Sequence, residues 1–176
     1  MIFRALDLPG AFEILPERAR DERGAFFRSF CEAEFAAAGV AFRPVQMSIS
    51  ENPRRHTLRG MHWQAPPAEE RKLIRCIRGA VLDVALDLRA GSATRLRHVA
   101  VTLSAEAGNA IFIPAGCAHG FLTLTDDAAL EYMMDVPFAP GLGRGARWDD
   151  PAFGIAWRAP PAVISERDAT WPDFDG

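Results

Sequence analysis

The sequence predicts an all-β fold in a single domain, 1–176, built as an antiparallel sandwich or barrel. Three observations carry this. AVLDVALDL (80–88) alternates, with Leu82, Val84, Leu86 and Leu88 on one side and Asp83, Ala85 and Asp87 on the other. That is period two, a strand with one face on a core. The runs around it are equally short: KLIRCIRG (72–79), HVAVTL (98–103), AIFIP (110–114), GFLTL (120–124) and ALEYMM (129–134). The stretches that separate them, RAGSAT, SAEAGN, PAGCAHG and TDDA, are rich in turn residues, as expected for strands that fold back on one another.

Each remaining element has its own signal. Gly79 can serve the turn between the runs at 72–79 and 80–88. CEAEFAAA (31–38) reads as a helix, with Ser29 as N-cap and Gly39 as its stop. The tail from RWDDPAFGIAW to DFDG is rich in Pro, Asp and Trp and reads as irregular chain packed over the barrel.

Composition narrows the function classes. Apolar residues make up 49% and charged residues 24%, as in ordinary globular chains. A net charge of −3 argues against a nucleic-acid binder. No stretch approaches the roughly 20 apolar residues of a membrane span, and the N-terminal MIFRALDLPG lacks the pattern of a secretory signal. Cys31, Cys76 and Cys117 form no C-x-x-C pair and read as reduced thiols, which points to the cytoplasm. The histidines, His56, His62, His98 and His119, form no H-x-H or H-x-x-x-H pair. No bound catalytic metal is expected from this inventory.

The chemistry centres on LRGMHWQ (58–64), where Arg59, His62 and Gln64 sit among apolar neighbours. If the segment is extended, Gly60, His62 and Gln64 share one face. A histidine satisfied by a backbone carbonyl is the competing reading. Lys72 shares a face with Ile74 and Cys76, and lysine is rarely buried without a partner. The competing reading is an edge-strand cation that blocks further pairing. Tyr132 is the only tyrosine beside twelve phenylalanines, so its oxygen is expected to have a task. Core packing with one hydrogen bond competes. Asp168 in SERD reads on sequence alone as a solvated charge or helix cap, and His119 as a structural residue of a turn-rich loop.

DERGAFFRSF, LRGMHWQ, RKLIRCIRGAVLDVALDLR, IPAGCAHGF, LEYMM, RWDDPAFGIAW and ISERD occur in this order. Together they resemble the dTDP-4-dehydrorhamnose 3,5-epimerase family, from Phe3 to about Pro172. The resemblance implies a cupin-like double-stranded β-helix (jelly roll) with one or two short helices, a homodimer, no metal, and a nucleotide-linked 4-keto-6-deoxyhexose as substrate. It implies His62 as general base, Asp168 as its paired carboxylate, Tyr132 as the acid on the opposite face and Lys72 beside the ketone oxygen. By the same resemblance Arg23 and Arg59 hold the diphosphate, and Gln46 and His119 touch the substrate. Phe26, Ser48 and Phe138 fall at further substrate-holding positions. The chain departs from the family pattern at four places: Arg28 replaces a carboxylate, Ser48 an asparagine, Phe138 a second tyrosine and Gly143 a nearby glutamate. These departures keep open a single-centre epimerase using another nucleotide, and a non-catalytic sugar-nucleotide binding protein.

Overall fold

A computed structural model describes residues 1–175; the last residue of the DFDG tail lies outside them. The chain forms β1 (Ile2–Ala5), β2 (Phe12–Leu15), β3 (Ala19–Asp21), β4 (Gly24–Phe26), α1 (Glu32–Ala37), β5 (Gln46–Asn52) and β6 (Leu58–Gln64). It continues through β7 (Lys72–Arg78), β8 (Ala80–Asp87), β9 (His98–Ser104), β10 (Ala110–Ile113), β11 (Cys117–Thr123), β12 (Ala128–Met134), β13 (Gly143–Gly145) and α2 (Glu166–Ala169). One sheet has the order β1-β2-β10-β7-β12-β5, the other β13-β6-β11-β8-β9, and β3 pairs with β4 alone. Each named strand pair is antiparallel. Adjacent runs such as β7 and β8 belong to opposite sheets, so the turn at Gly79 (φ +71°) passes the chain between layers. This is the jelly-roll solution to covering two sheet faces.

Period-two alternation sorts the side chains into layers. Ile74 and Cys76 of β7, Val81 and Ala85 of β8, Phe121 of β11 and Leu130 of β12 meet between the sheets. Leu73 of β7 and Met133 of β12 face the other way and pack with Phe35 of α1. Leu82, Val84 and Leu86 of β8 face the tail, where Trp148, Phe153, Ile155, Trp157 and Ile164 cover them. The tail is therefore a third layer, and β8 is buried on both faces rather than one. The aspartates expected to face away from the core are enclosed and partnered. Asp83 faces His119, and Asp87 accepts from Arg89, Ser92 and Thr94. Burial alone pushes the Asp87 carboxyl up; those donors hold it well below the usual range.

Two local expectations need correction. α1 begins after Cys31, which makes no side-chain cap bond; Ser29 is not the cap, and its carbonyl instead accepts from the Arg75 guanidinium. Glu32 and Glu34 in the first turn complement the positive end of the helix dipole, and Gly39 ends the helix at φ +77°. His119 lies in β11, which starts at Cys117, rather than in a loop.

Candidate active site

The two sheets and the tail enclose a cleft of about 600 Å³, lined by Arg59, His62, Lys72, His119, Tyr132 and Asp168, among others. His62 and His119 face each other across β6 and β11. Lys72 and Tyr132 come from β7 and β12 of the opposite sheet. Tyr132 packs on the intersheet core, so the cleft adjoins it.

A bulge sets the floor. His119 pairs with His62, but Phe121 pairs with Arg59, so β6 carries one residue more than β11. Simple extension would put Arg59 and His62 on opposite faces; the extra residue lets both line the cleft. Met61 takes the other side, fully buried under the tail. Gly60 has φ +130°, and a Cβ there would stand 2.5 Å from Gly120 Cα. Glycine is required at this crossing by both conformation and contact.

Asp168 reaches the cleft because the tail is tied to β6. Leu58 N–H donates to Val163 O at 2.9 Å, and Ser165 caps α2 by accepting from Asp168 N–H at 3.1 Å. The Asp168 carboxylate then takes His62 Nε2 at 2.7 Å and Gly60 N–H at 3.2 Å. It is neither solvated nor a cap. Burial pushes its carboxyl up, but the His62 hydrogen bond and charge, with the Gly60 N–H, hold it below the usual range. An ionised carboxylate fixes the imidazole and leaves its other nitrogen for the cleft.

Lys72 lies in an interior strand, which excludes the edge-cation reading. Its ammonium meets Glu70 Oε1 at 2.8 Å and His62 O at 3.3 Å. The Tyr132 hydroxyl has no hydrogen-bond partner among the described residues, so core packing with one satisfied bond does not describe it. Burial first, then the negative charge of Asp83, keeps its proton on well above the ordinary phenol range, with Arg59 opposing. His119 Nε2 lies 2.9 Å from Asp83 Oδ2, and its ring meets Tyr132 edge-on at 5.6 Å. Arg59 is aimed by Asn52, which accepts from its Nε at 2.9 Å.

Gln46, Ser48 and Phe138 line an adjoining hollow of about 310 Å³ that shares Lys72 and Tyr132 with the cleft. Gln46 Oε1 accepts from the Phe138 N–H at 2.9 Å. Arg23 and Phe26 are not brought in: both sit on the free β3–β4 ribbon, where Arg23 pairs with Asp21 and Phe26 is 81% exposed. Sequence reading missed Glu70, Asp83 and Arg167. Arg167 lines the cleft one residue before Asp168 and stacks its guanidinium on Trp171. Among the described residues there is no group of three or more His, Cys, Asp or Glu that could hold a metal.

A base paired with a carboxylate, a protonated phenol and an ammonium around one cleft suit proton transfer beside a carbonyl. The model of the family described as dTDP-4-dehydrorhamnose 3,5-epimerase matches residues 5–176. The chain belongs to the dTDP-4-dehydrorhamnose 3,5-epimerase family. A dTDP-4-dehydrorhamnose 3,5-epimerase from Sinorhizobium fredii is 39% identical over 175 residues, covering 99% of this chain and 90% of that protein. Among solved structures, the epimerase of this family from Bacillus anthracis, with TDP and PPi bound, superposes with TM-score 0.95 at 29% identity. The match covers 98% of this chain and 99% of that one. A 3'-monoepimerase from Streptomyces bikiniensis, in complex with dTDP-quinovose, gives TM-score 0.88 at 35% identity over 96% and 85% of the two chains. The all-β jelly roll expected from the sequence is thus the fold of this epimerase family.

Proposed function

We propose that the chain epimerises a dTDP-linked 4-keto-6-deoxyhexose without a cofactor, inverting C3, C5 or both. The observation that carries this reading is the pairing of His62 on one sheet with Asp168 of the tail, and Tyr132 on the other sheet, around a single cleft. The C4 ketone acidifies the hydrogens on C3 and C5, because the carbanion delocalises onto oxygen. His62 takes one of these protons, and Asp168 stabilises the imidazolium. The electron pair moves to the C4 oxygen, where the Lys72 ammonium meets the developing charge. Tyr132 gives a proton to the carbon from the opposite face, and the centre inverts. Arg59 and Arg167 supply cationic forks for the diphosphate. Gln46, Ser48 and His119 hold the sugar and nucleoside.

The test is incubation with dTDP-4-keto-6-deoxyglucose in heavy water, followed by proton NMR. Deuterium at both C3 and C5 with product is the expected result. Exchange at neither carbon would sink the reading and favour a binding protein. A single-centre reaction has one specific observation behind it. Phe138 stands where the family often carries a tyrosine, and it lines the hollow beside Lys72 and Tyr132. Deuterium at only one carbon would select that reading.

A homodimer fits the surface. β5 is a sheet edge, and Met47 and Ile49 on it are 57% and 62% exposed, with Val45 continuing the same alternation. An uncovered apolar edge invites pairing. We assign its cover to a second copy, whose β3–β4 ribbon would carry Arg23 and Phe26 to this cleft. Light scattering should give twice the 19.3 kDa chain mass; a monomer at micromolar concentration would rule it out. The three cysteines are free, which suits a cytoplasmic enzyme. No helix of the described residues is long and apolar enough to cross a membrane.

A further inference from the structure

Glu70 is a charged side chain with almost no access to water and no place in the chemistry described so far. Its side chain is 7% exposed. Oε1 lies 2.8 Å from Lys72 Nζ, and Oε2 is buried with no partner among the described residues. A carboxylate so enclosed is costly to ionise unless a cation answers it, and Lys72 is the cation at hand. The reverse also holds: Lys72 is 11% exposed and has Glu70 as its ion-pair partner. Removing either partner leaves an uncompensated buried charge.

The pair is also a positioning device. An ammonium carries three donors. One is spent on Glu70 Oε1 and one on His62 O, which leaves one N–H to reach into the cleft. The two anchors fix the direction of the third. One anchor is the backbone of the base itself, so ammonium and imidazole are held in a single frame. Glu70 also lines the hollow of Gln46, Ser48 and Phe138, and a second one beside Trp63 and Arg144, both of which share Lys72 with the cleft. It therefore sits on the Lys72 side of the cleft and lines neither hollow with Arg59, which is tied to Asn52 instead.

We propose that Glu70 is a positioning residue for the reaction: it holds the Lys72 ammonium aimed at the ketone oxygen, and acts on the sugar only through Lys72. This rests on the epimerase reading above. The consequence is a coupling between two side chains that a purely structural carboxylate would not have.

A double-mutant cycle tests it. Glu70→Gln, which keeps shape and loses charge, is expected to lower kcat for deuterium exchange on dTDP-4-keto-6-deoxyglucose by roughly tenfold or more. Its affinity for dTDP alone should stay within about twofold, since Glu70 acts only through Lys72 at the ketone. In the Lys72→Met background the same change should cost less than about twofold, because nothing remains for it to position. An equal loss in both backgrounds, or parental kcat in the single variant, would overturn the inference. Thermal melting identifies any variant that fails to fold. In that case Glu70→Ala, alone and with Lys72→Met, is read in the same way, and added formate restoring its exchange would support the proposal. Exchange by the parent protein tests the epimerase reading itself, so a parent that exchanges with an uncoupled cycle removes only the role of Glu70.

Discussion

Replacing His62 with Ala is expected to lower turnover on dTDP-4-keto-6-deoxyglucose by on the order of 10² to 10⁴ while the chain still folds. The loss follows from position. His62 is the one imidazole in the cleft held by the tail carboxylate; His119 is turned to Asp83 instead. No second base stands in the same place. Stability should respond in a defined direction. In the parent the Asp168 carboxyl lies below its ordinary value. Its contribution to folding is therefore complete above about pH 4 and is lost as pH falls through the lowered value. Without His62, burial acts on Asp168 with the Gly60 N–H as the main remaining opponent. Its carboxyl then rises, so the variant loses stability near neutral pH and the difference from the parent narrows in acid. Exchange rates by NMR and melting curves at pH 7 and pH 3.5 check both parts. Activity within a few-fold of the parent would end the case for His62 as the base.

Much of the fold was legible because period two is a local signal. Lys72, Ile74 and Cys76 do share a face, and Ile74 and Cys76 reach the intersheet core. Tyr132 follows Leu130 onto that same core. What failed was the inference from polarity to solvent. Asp83 and Asp87 alternate with leucines as an outer face would, yet both are enclosed and partnered: Asp83 by His119 from β11, and Asp87 by Arg89, Ser92 and Thr94 of the turn that follows it. Glu70 was hidden in the charge run AEERK, where a solvated surface is the ordinary expectation. Asp168 was illegible from local pattern: it lies 106 residues from His62, and the intervening tail has no regular period. The family resemblance, not the spacing, pointed to it. The joint placement of Arg59 and His62 also defeated simple alternation. An isolated glycine inside a strand was the available signal, since such a residue marks a bulge or a close backbone approach, and Gly60 is both.

Tyr132→Phe separates proton removal from inversion. His62 is untouched in this variant and is half-buried rather than sealed, so it can still take a proton, trade it with solvent and return it to the same face. That cycle labels the sugar without inverting it. Inversion needs a donor on the other face, and Tyr132 is placed for this by its sheet and by its ionisation. It comes from β12, across the cleft from β6. Burial and the Asp83 charge keep its hydroxyl protonated at neutral pH, so it enters the reaction as an acid. Phenylalanine preserves the ring contacts with His119 and the core, so packing is not the variable. The expected result is a fall in product formation of on the order of 10² or more, with deuterium incorporation into recovered substrate reduced by less than about tenfold. Both are read from one NMR sample. If incorporation and product fall together by the same factor, Tyr132 assists the first proton transfer, and the acid on the second face must be sought elsewhere in the cleft.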